Sequence, residues 1–208
     1  MSDNSMKDIK TTEVNEQNNN TGDNKKRKNI ILIGMPGSGK STLGVVLAKK
    51  LGYSFIDSDI VIQDTYGKTL EELIDEHGDA GFIKIENDVN CGISPEHTII
   101  ATGGSAVYGE GAMEHFKEIG TVIYLKVSEK ELESRLGSLK ERGVVSNGKT
   151  TIEEIFEDRK RLYEKYADII ITQEGMDIRT IVEDMYSRIK FMSLSLIHIS
   201  EPTRLLSI

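Results

Sequence analysis

Cysteine, histidine, long apolar runs and surplus positive charge are all scarce in this chain, and each scarcity removes a class of function. A single cysteine, Cys91, excludes an internal disulfide framework. It has no histidine near it in sequence, so an inert packing role is expected of it. Four scattered histidines, with no ligand-like spacing, give no transition-metal site. No apolar run reaches the roughly 18 residues that a membrane span needs, and the N-terminus lacks the apolar core of a signal peptide. Acids outnumber bases by 34 to 26, for a net charge of -8, which argues against a nucleic-acid binder. Any phosphate the chain binds must therefore sit in a local pocket. A monomer in the cytoplasm, with no membrane or nucleic-acid partner, is the expectation.

What is present divides into three parts. Residues 1–28 hold six Asn, five acids and six bases with few large apolar groups, so this segment cannot offset its ordering entropy and is expected to be a disordered tail. Its Lys25-Lys26-Arg27-Lys28 run reads as a solvated charge cluster. Residues 29–191 alternate short apolar runs with amphipathic stretches. Ile30-Ile31-Leu32-Ile33, 54–57, 98–102, 121–127 and 168–172 are strand candidates, continuous enough for a sheet covered on both faces. Capping-box patterns open three of the intervening helices: Thr69-x-x-Glu72, Ser128-x-x-Glu131 and Thr151-x-x-Glu154. The expected fold is a doubly wound α/β domain with a mainly parallel five-stranded sheet flanked by helices. A last helix is expected from Asp177 to about Phe191. Residues 192–208 form the third part; 194–204 read as the translation of a sequencing-library adaptor, so a non-native tail is expected there.

The strongest motif is Gly34-Met35-Pro36-Gly37-Ser38-Gly39-Lys40-Ser41-Thr42, which satisfies G-x-x-x-x-G-K-[ST] between an apolar strand and an amphipathic helix. Glycines let backbone amides turn inward around phosphate oxygens, and the helix beginning near Gly39 adds its positive end. Lys40 neutralises the β and γ phosphates, and the Ser41 hydroxyl suits Mg²⁺. This is a nucleotide site for ATP. The next strand candidate ends in Phe55-Ile56-Asp57-Ser58-Asp59, at the edge of the sheet that faces the phosphates. If the strand stays extended, alternation sends Asp57 and Asp59 to one side, one for Mg²⁺ and one for a substrate hydroxyl. The alternative is that Asp59 only caps a helix starting at Ile60.

Beyond the P-loop the chain resembles shikimate kinases over about residues 29–191. The resemblance rests on Phe-x-Asp-x-Asp, on Gly78-Asp79-Ala80-Gly81-Phe82-Ile83-Lys84-Ile85-Glu86 where that family has G-E-x-x-F-R-x-x-E, and on Thr102-Gly103-Gly104-Ser105 where it has a triple glycine. Arg135 and Arg142 flank a polar stretch like the family's lid, and Arg159-Lys160-Arg161-Leu162-Tyr163 stands at its R-x-P-L-Y. The resemblance implies a P-loop kinase architecture with a short lid, and phosphoryl transfer from ATP to shikimate in aromatic amino acid (chorismate) biosynthesis, giving shikimate 3-phosphate. Carried over residue by residue, Asp57 would hold Mg²⁺ through water and Asp59 would orient and deprotonate the acceptor hydroxyl. Gly103 and Gly104 would meet the substrate, Arg159 would bind its carboxylate, and Glu86 would help hold the acceptor site. Arg142 would stabilise the transferring phosphoryl group, and Arg135 would lie near the adenine.

Four departures accompany the match: Ile83 for the family's carboxylate-binding arginine, Ser105 for the third glycine, Arg142-Gly143-Val144-Val145 for R-P-L-L, and Arg161 for proline. Ile83 can make no hydrogen bond. It therefore favours a second reading, a related kinase acting on another polyol or sugar acid such as gluconate. A third reading is a non-catalytic ATP-binding regulator, which would be expected to lack Asp59 or Arg142. A GTPase would carry N-K-x-D, which is absent.

Overall fold

The computed structural model describes residues 28–136, 145, 147–149 and 151–199. Arg142, residues 1–27 and residues 200–208, all assigned roles or states above, lie outside the described residues.

Five strands form one sheet: β1 (Asn29–Ile33), β2 (Ser54–Asp57), β3 (Thr98–Ala101), β4 (Gly120–Lys126) and β5 (Ile169–Thr172). Their order is β2-β3-β1-β4-β5, and every pairing is parallel. Parallel strands require crossovers, and the helices supply them: α1 (Lys40–Leu51), α2 (Ser58–Tyr66), α3 (Leu70–Gly92), α4 (Glu110–Ile119), α5 (Glu129–Leu136), α6 (Ile152–Tyr166) and α7 (Ile178–Ile199). The doubly wound α/β expectation holds. The last helix does not stop near Phe191; it continues unbroken to Ile199. Ser193 to Ile199 carry no glycine or proline to end it.

Alternation along β1 splits the core into two layers. Ile31 and Ile33 face a cluster with Met113, Phe116, Tyr124 and Tyr163, whereas Ile30 and Leu32 face Leu43, Leu47, Ile181 and Met185. A smaller third cluster joins Ile62, Leu73, Phe82, Ile85 and Val145 beside the sheet's rim. The capping boxes at Thr69 and Thr151 form in full, each Thr hydroxyl accepting from the N3 backbone N–H and each Glu reaching back to the cap. Ser128 accepts from the Glu131 N–H at 3.4 Å, the long end of that pattern.

Two features fix the helices that carry the site. In α1, Gly44 lies against the sheet: a Cβ there would come within 2.7 Å of the Phe55 ring, so glycine lets the helix approach closely. In α3, Gly78 adopts φ 67, breaking the helix into two arms; the second arm carries Phe82, Ile83 and Glu86. Cys91 is exposed on that arm rather than packed, correcting the packing role expected of it. Desolvation and the charge of nearby Asp88 push its thiol pKa up.

Candidate active site

Where the strand order reverses about β1, the carboxyl ends of β1, β2 and β3 open onto a cleft of about 390 Å³. Pro36, Gly37, Gly39, Lys40, Ser41 and Thr42 line one end of it. Gly34, Met35 and Ser38 complete the loop behind that surface, Ser38 fully buried. Lys40 is buried, and its Nζ donates to the carbonyls of Gly34 at 2.8 Å and Met35 at 3.0 Å. Burial lowers its pKa to about 8, opposed by the charge of Asp59. An ammonium satisfied only by carbonyls is a ready partner for phosphate oxygens.

Ser41 Oγ, in the first turn of α1, donates to Asp57 Oδ2 at 2.6 Å. Asp57 ends β2 and caps α2, its Oδ1 accepting from the Asp59 N–H at 3.1 Å. The capping role weighed for Asp59 thus belongs to Asp57. Helix begins at Ser58, so strand alternation does not govern Asp59, which sits in the first turn of α2. Its carboxylate still reaches the cleft. Burial raises its pKa to about 6, against the opposing pull of Lys40. The two acids are therefore held differently: one tied to a hydroxyl and an amide, the other half-buried and under the charge of a cation.

The opposite end of the cleft is built from side chains on several elements. Gly103 and Gly104 follow β3; Glu86 comes from α3, Arg159 from α6, and Leu70, Phe82 and Val145 close the apolar side. A Cβ on Gly103 would overlap Glu86 Oε1 outright and stand 2.7 Å from Asp59 Oδ1, so glycine there keeps open the space between the two acids. Glu86 is buried; its Oε2 accepts from Ser105 Oγ at 2.6 Å, while Oε1 has no hydrogen-bond partner. Burial pushes its pKa up to about 7. Arg159 is 1% exposed, with its guanidinium over the Tyr108 ring and Nη2 donating to the Val145 carbonyl at 2.5 Å. Its Nε has no partner. The neighbouring Tyr163 hydroxyl donates to the Gly104 carbonyl at 2.6 Å.

Of the residues singled out from sequence, Lys40, Ser41, Asp59, Glu86, Gly103, Gly104 and Arg159 line this cleft, and Asp57 stands behind it, joined to it through Ser41. Arg135 lies on α5, with no side chain described. Ile83 is half-buried against the third cluster and is not among the cleft-lining residues. Sequence reasoning missed Gln173. This buried residue follows β5, and its Nε2 donates to the Ser38 carbonyl at 2.8 Å. Because carbonyl and N–H point oppositely across a trans peptide, this bond turns the Gly39 N–H away from Gln173. The available signal was a polar residue directly after an apolar strand, at the sheet edge where the P-loop also lies.

A family model for shikimate kinase matches residues 36–190. A shikimate kinase from Thermodesulfovibrio yellowstonii is 35% identical over 169 residues, spanning 80% of this chain and 97% of that relative. One from Persephonella marina is 35% identical over 164 residues, 78% of this chain and 99% of its own. The solved structure of shikimate kinase from Acinetobacter baumannii in complex with shikimate superposes with a TM-score of 0.74 at 28% identity, covering 82% of this chain and 97% of that one.

Proposed function

We infer the chemistry that follows from one premise: the chain belongs to the shikimate kinase family. It is a shikimate kinase, transferring the γ-phosphoryl group of ATP to a hydroxyl of shikimate. The observation that carries this reading is the pairing, in one cleft, of a P-loop whose lysine is satisfied only by carbonyls with a half-buried acid, Asp59, beside it.

In our reading the phosphates lie in the cradle of backbone N–H groups from Gly37 to Thr42, with Lys40 releasing its carbonyl partners to meet the β and γ phosphates. Asp59 accepts the proton of the acceptor hydroxyl. The hydroxyl oxygen forms the new P–O bond as the bond between the γ phosphorus and the bridging oxygen of ADP breaks. A carboxylate with pKa about 6 is ionised at neutrality yet close enough to it to exchange a proton readily. Ser41 Oγ and Asp57 Oδ2, hard oxygens 2.6 Å apart, fit Mg²⁺ and are the groups that would hold it. When bound, the ion neutralises charge on the phosphates.

At the far end, Gly104 offers its N–H to the substrate, and Arg159 receives the carboxylate, its unpartnered Nε being a free donor in a buried place. The family resemblance assigns Arg142 to the transferring phosphoryl group and Arg135 to the adenine. Gluconate and a non-catalytic role are not favoured: the relatives matched over nearly their whole length are shikimate kinases, and the acid and lysine of a working kinase are both present. Among the described residues no helix is long and apolar enough to cross a membrane. A cytoplasmic monomer whose kinase domain spans 29–191, with α7 running on past it to Ile199, remains our reading of the chain's setting. The test is coupled release of ADP from ATP and Mg²⁺ with shikimate, with gluconate, and without acceptor. Turnover with shikimate alone is expected; equal rates in all three would overturn the reading.

A further inference from the structure

Among the described residues Glu86 is the one buried acid in the cleft with an oxygen that nothing satisfies. Its two oxygens are unequally placed. Oε2 accepts the Ser105 hydroxyl proton at 2.6 Å, whereas Oε1 points over Gly103 toward the cleft without a partner. A carboxylate left this way would be a buried charge with half its hydrogen bonds missing, a costly state. A carboxylic acid costs less: its carbonyl oxygen accepts from Ser105, no charge is buried, and its O–H awaits an acceptor that a ligand can supply. No ion pair to Glu86 is formed among the described residues, although Arg159 is near enough to act on it.

We propose that Glu86 works in this protein as a neutral acid, its proton placed on Oε1 by the Ser105 hydrogen bond, and that it donates this proton's hydrogen bond to the carboxylate of shikimate beside Arg159. The proposal rests on the shikimate reading above and adds a second donor to the acceptor's anion. A Cβ on Gly104 would stand 3.0 Å from Arg159 Nη1, and one on the adjacent Gly103 would meet Glu86 Oε1, so an anion lying over these two glycines meets both groups. Ser105 is then a positioning residue, acting through Glu86.

Charged and titratable groups face Glu86 from three other helices: Lys40 of α1, Asp59 of α2 and Arg159 of α6. Lys40 and Arg159 favour its ionised form and Asp59 opposes it; burial outweighs them, and the pKa rises to about 7. The sign follows: below that pH the donor is present, above it Glu86 carries a charge that repels the ligand, and binding an anion near neutrality draws a proton onto Glu86.

The experiment is calorimetry of shikimate binding to the full chain without nucleotide, across about pH 6 to about pH 9, in buffers of differing ionisation enthalpy. The parent is expected to lose about tenfold in affinity over that range and to take up a fraction of a proton near neutrality. Glu86→Gln, a permanent neutral donor, is expected to flatten the profile and to bind more tightly than the parent at the alkaline end. Ser105→Ala should weaken binding about fivefold at the acid end, and Ser105→Thr should restore it; ADP affinity, unchanged in all, reports an intact fold. A flat parent profile without proton uptake, or a Glu86→Gln protein weaker than the parent at every pH, would overturn the assignment and make Glu86 an anion. A parent that neither binds nor phosphorylates shikimate would instead sink the acceptor reading itself.

Discussion

The two ends of the cleft are made in different ways. The phosphate end is backbone: one continuous loop, its lysine bonded to that loop's own carbonyls, its conformation steadied by Gln173 just after β5. The acceptor end is side chains from α2, α3, α6 and the turn after β3, and among the described residues it holds two buried polar atoms without partners, Glu86 Oε1 and Arg159 Nε, against one, Ser38 Oγ, in the loop. A ligand made of phosphates is recognised by geometry that any sequence meeting the glycine pattern reproduces. A small hydroxy acid is recognised by groups that must each arrive from a separate element. Two of the four departures from the family pattern, Ile83 and Ser105, fall in the segments that build the acceptor end, while the loop matches in full.

The largest expected effects remove the chemistry that joins the ends. Lys40→Ala and Asp59→Asn should each lower kcat by at least about a hundredfold with the fold retained, measured by coupled ADP release and circular dichroism. Full turnover in Asp59→Asn would place the acceptor's base elsewhere.

Next is Gly103→Ala, which drives a methyl group into Glu86 and Asp59. It should raise the KM for shikimate by about thirtyfold and leave ADP affinity within about twofold, the split expected if the ends are independent.

The mirror experiment is Gln173→Glu, which replaces the donor to Ser38 with an acceptor. A rise of about fivefold in KM for ATP, with KM for shikimate unmoved, is the expected result. Parallel changes in both constants would show that the loop and the acceptor end are one unit.

Ile83→Arg tests the departure directly. Residues 83 and 86 are neighbours on one helix face, so an arginine at 83 can pair with Glu86 and supply a second cation for the carboxylate. The KM for shikimate should fall at least about fivefold at alkaline pH with little change in kcat, because a contact remote from the reacting hydroxyl is uniform binding. Unchanged KM would mean that position 83, turned toward the third cluster, cannot reach the ligand. The smallest effect is expected from deleting residues 1–27, which should move Tm by less than about 2 °C in a thermal melt.

This contrast also explains what could be read from residues alone. The five strands, the P-loop and the capping boxes are local patterns, and short-range rules govern them. Asp57 and Asp59 were legible as a pair but not in their division of labour, because that turned on whether the helix began at Ser58 or Ile60. A shift of two residues in a helix start is beyond what propensity resolves. The Ser105–Glu86 bond joins residues 19 apart, and Gln173–Ser38 joins residues 135 apart. No spacing rule reaches that far. Ile83 was recognised as a missing arginine, yet only the fold brings Ser105 to Glu86 and thereby suggests what stands in for it. Cys91 was misjudged because a lone cysteine is more often buried than not, and nothing local marked its face of α3 as the outer one.

Gly44 carries a consequence for anyone engineering this enzyme. A glycine in the middle of a helix is the first position a stabilisation programme would change to alanine, for a gain of about 1 kcal/mol in helix propensity. Here that methyl group would meet the ring of Phe55 at 2.7 Å and Leu32 at 3.2 Å. The helix would have to lift off the sheet, carrying Lys40 and Ser41 at its first turn with it. Heat resistance won at this site would be exchanged for a displaced phosphate loop, so the tolerance of α1 to thermal selection is set by the ligand at its end.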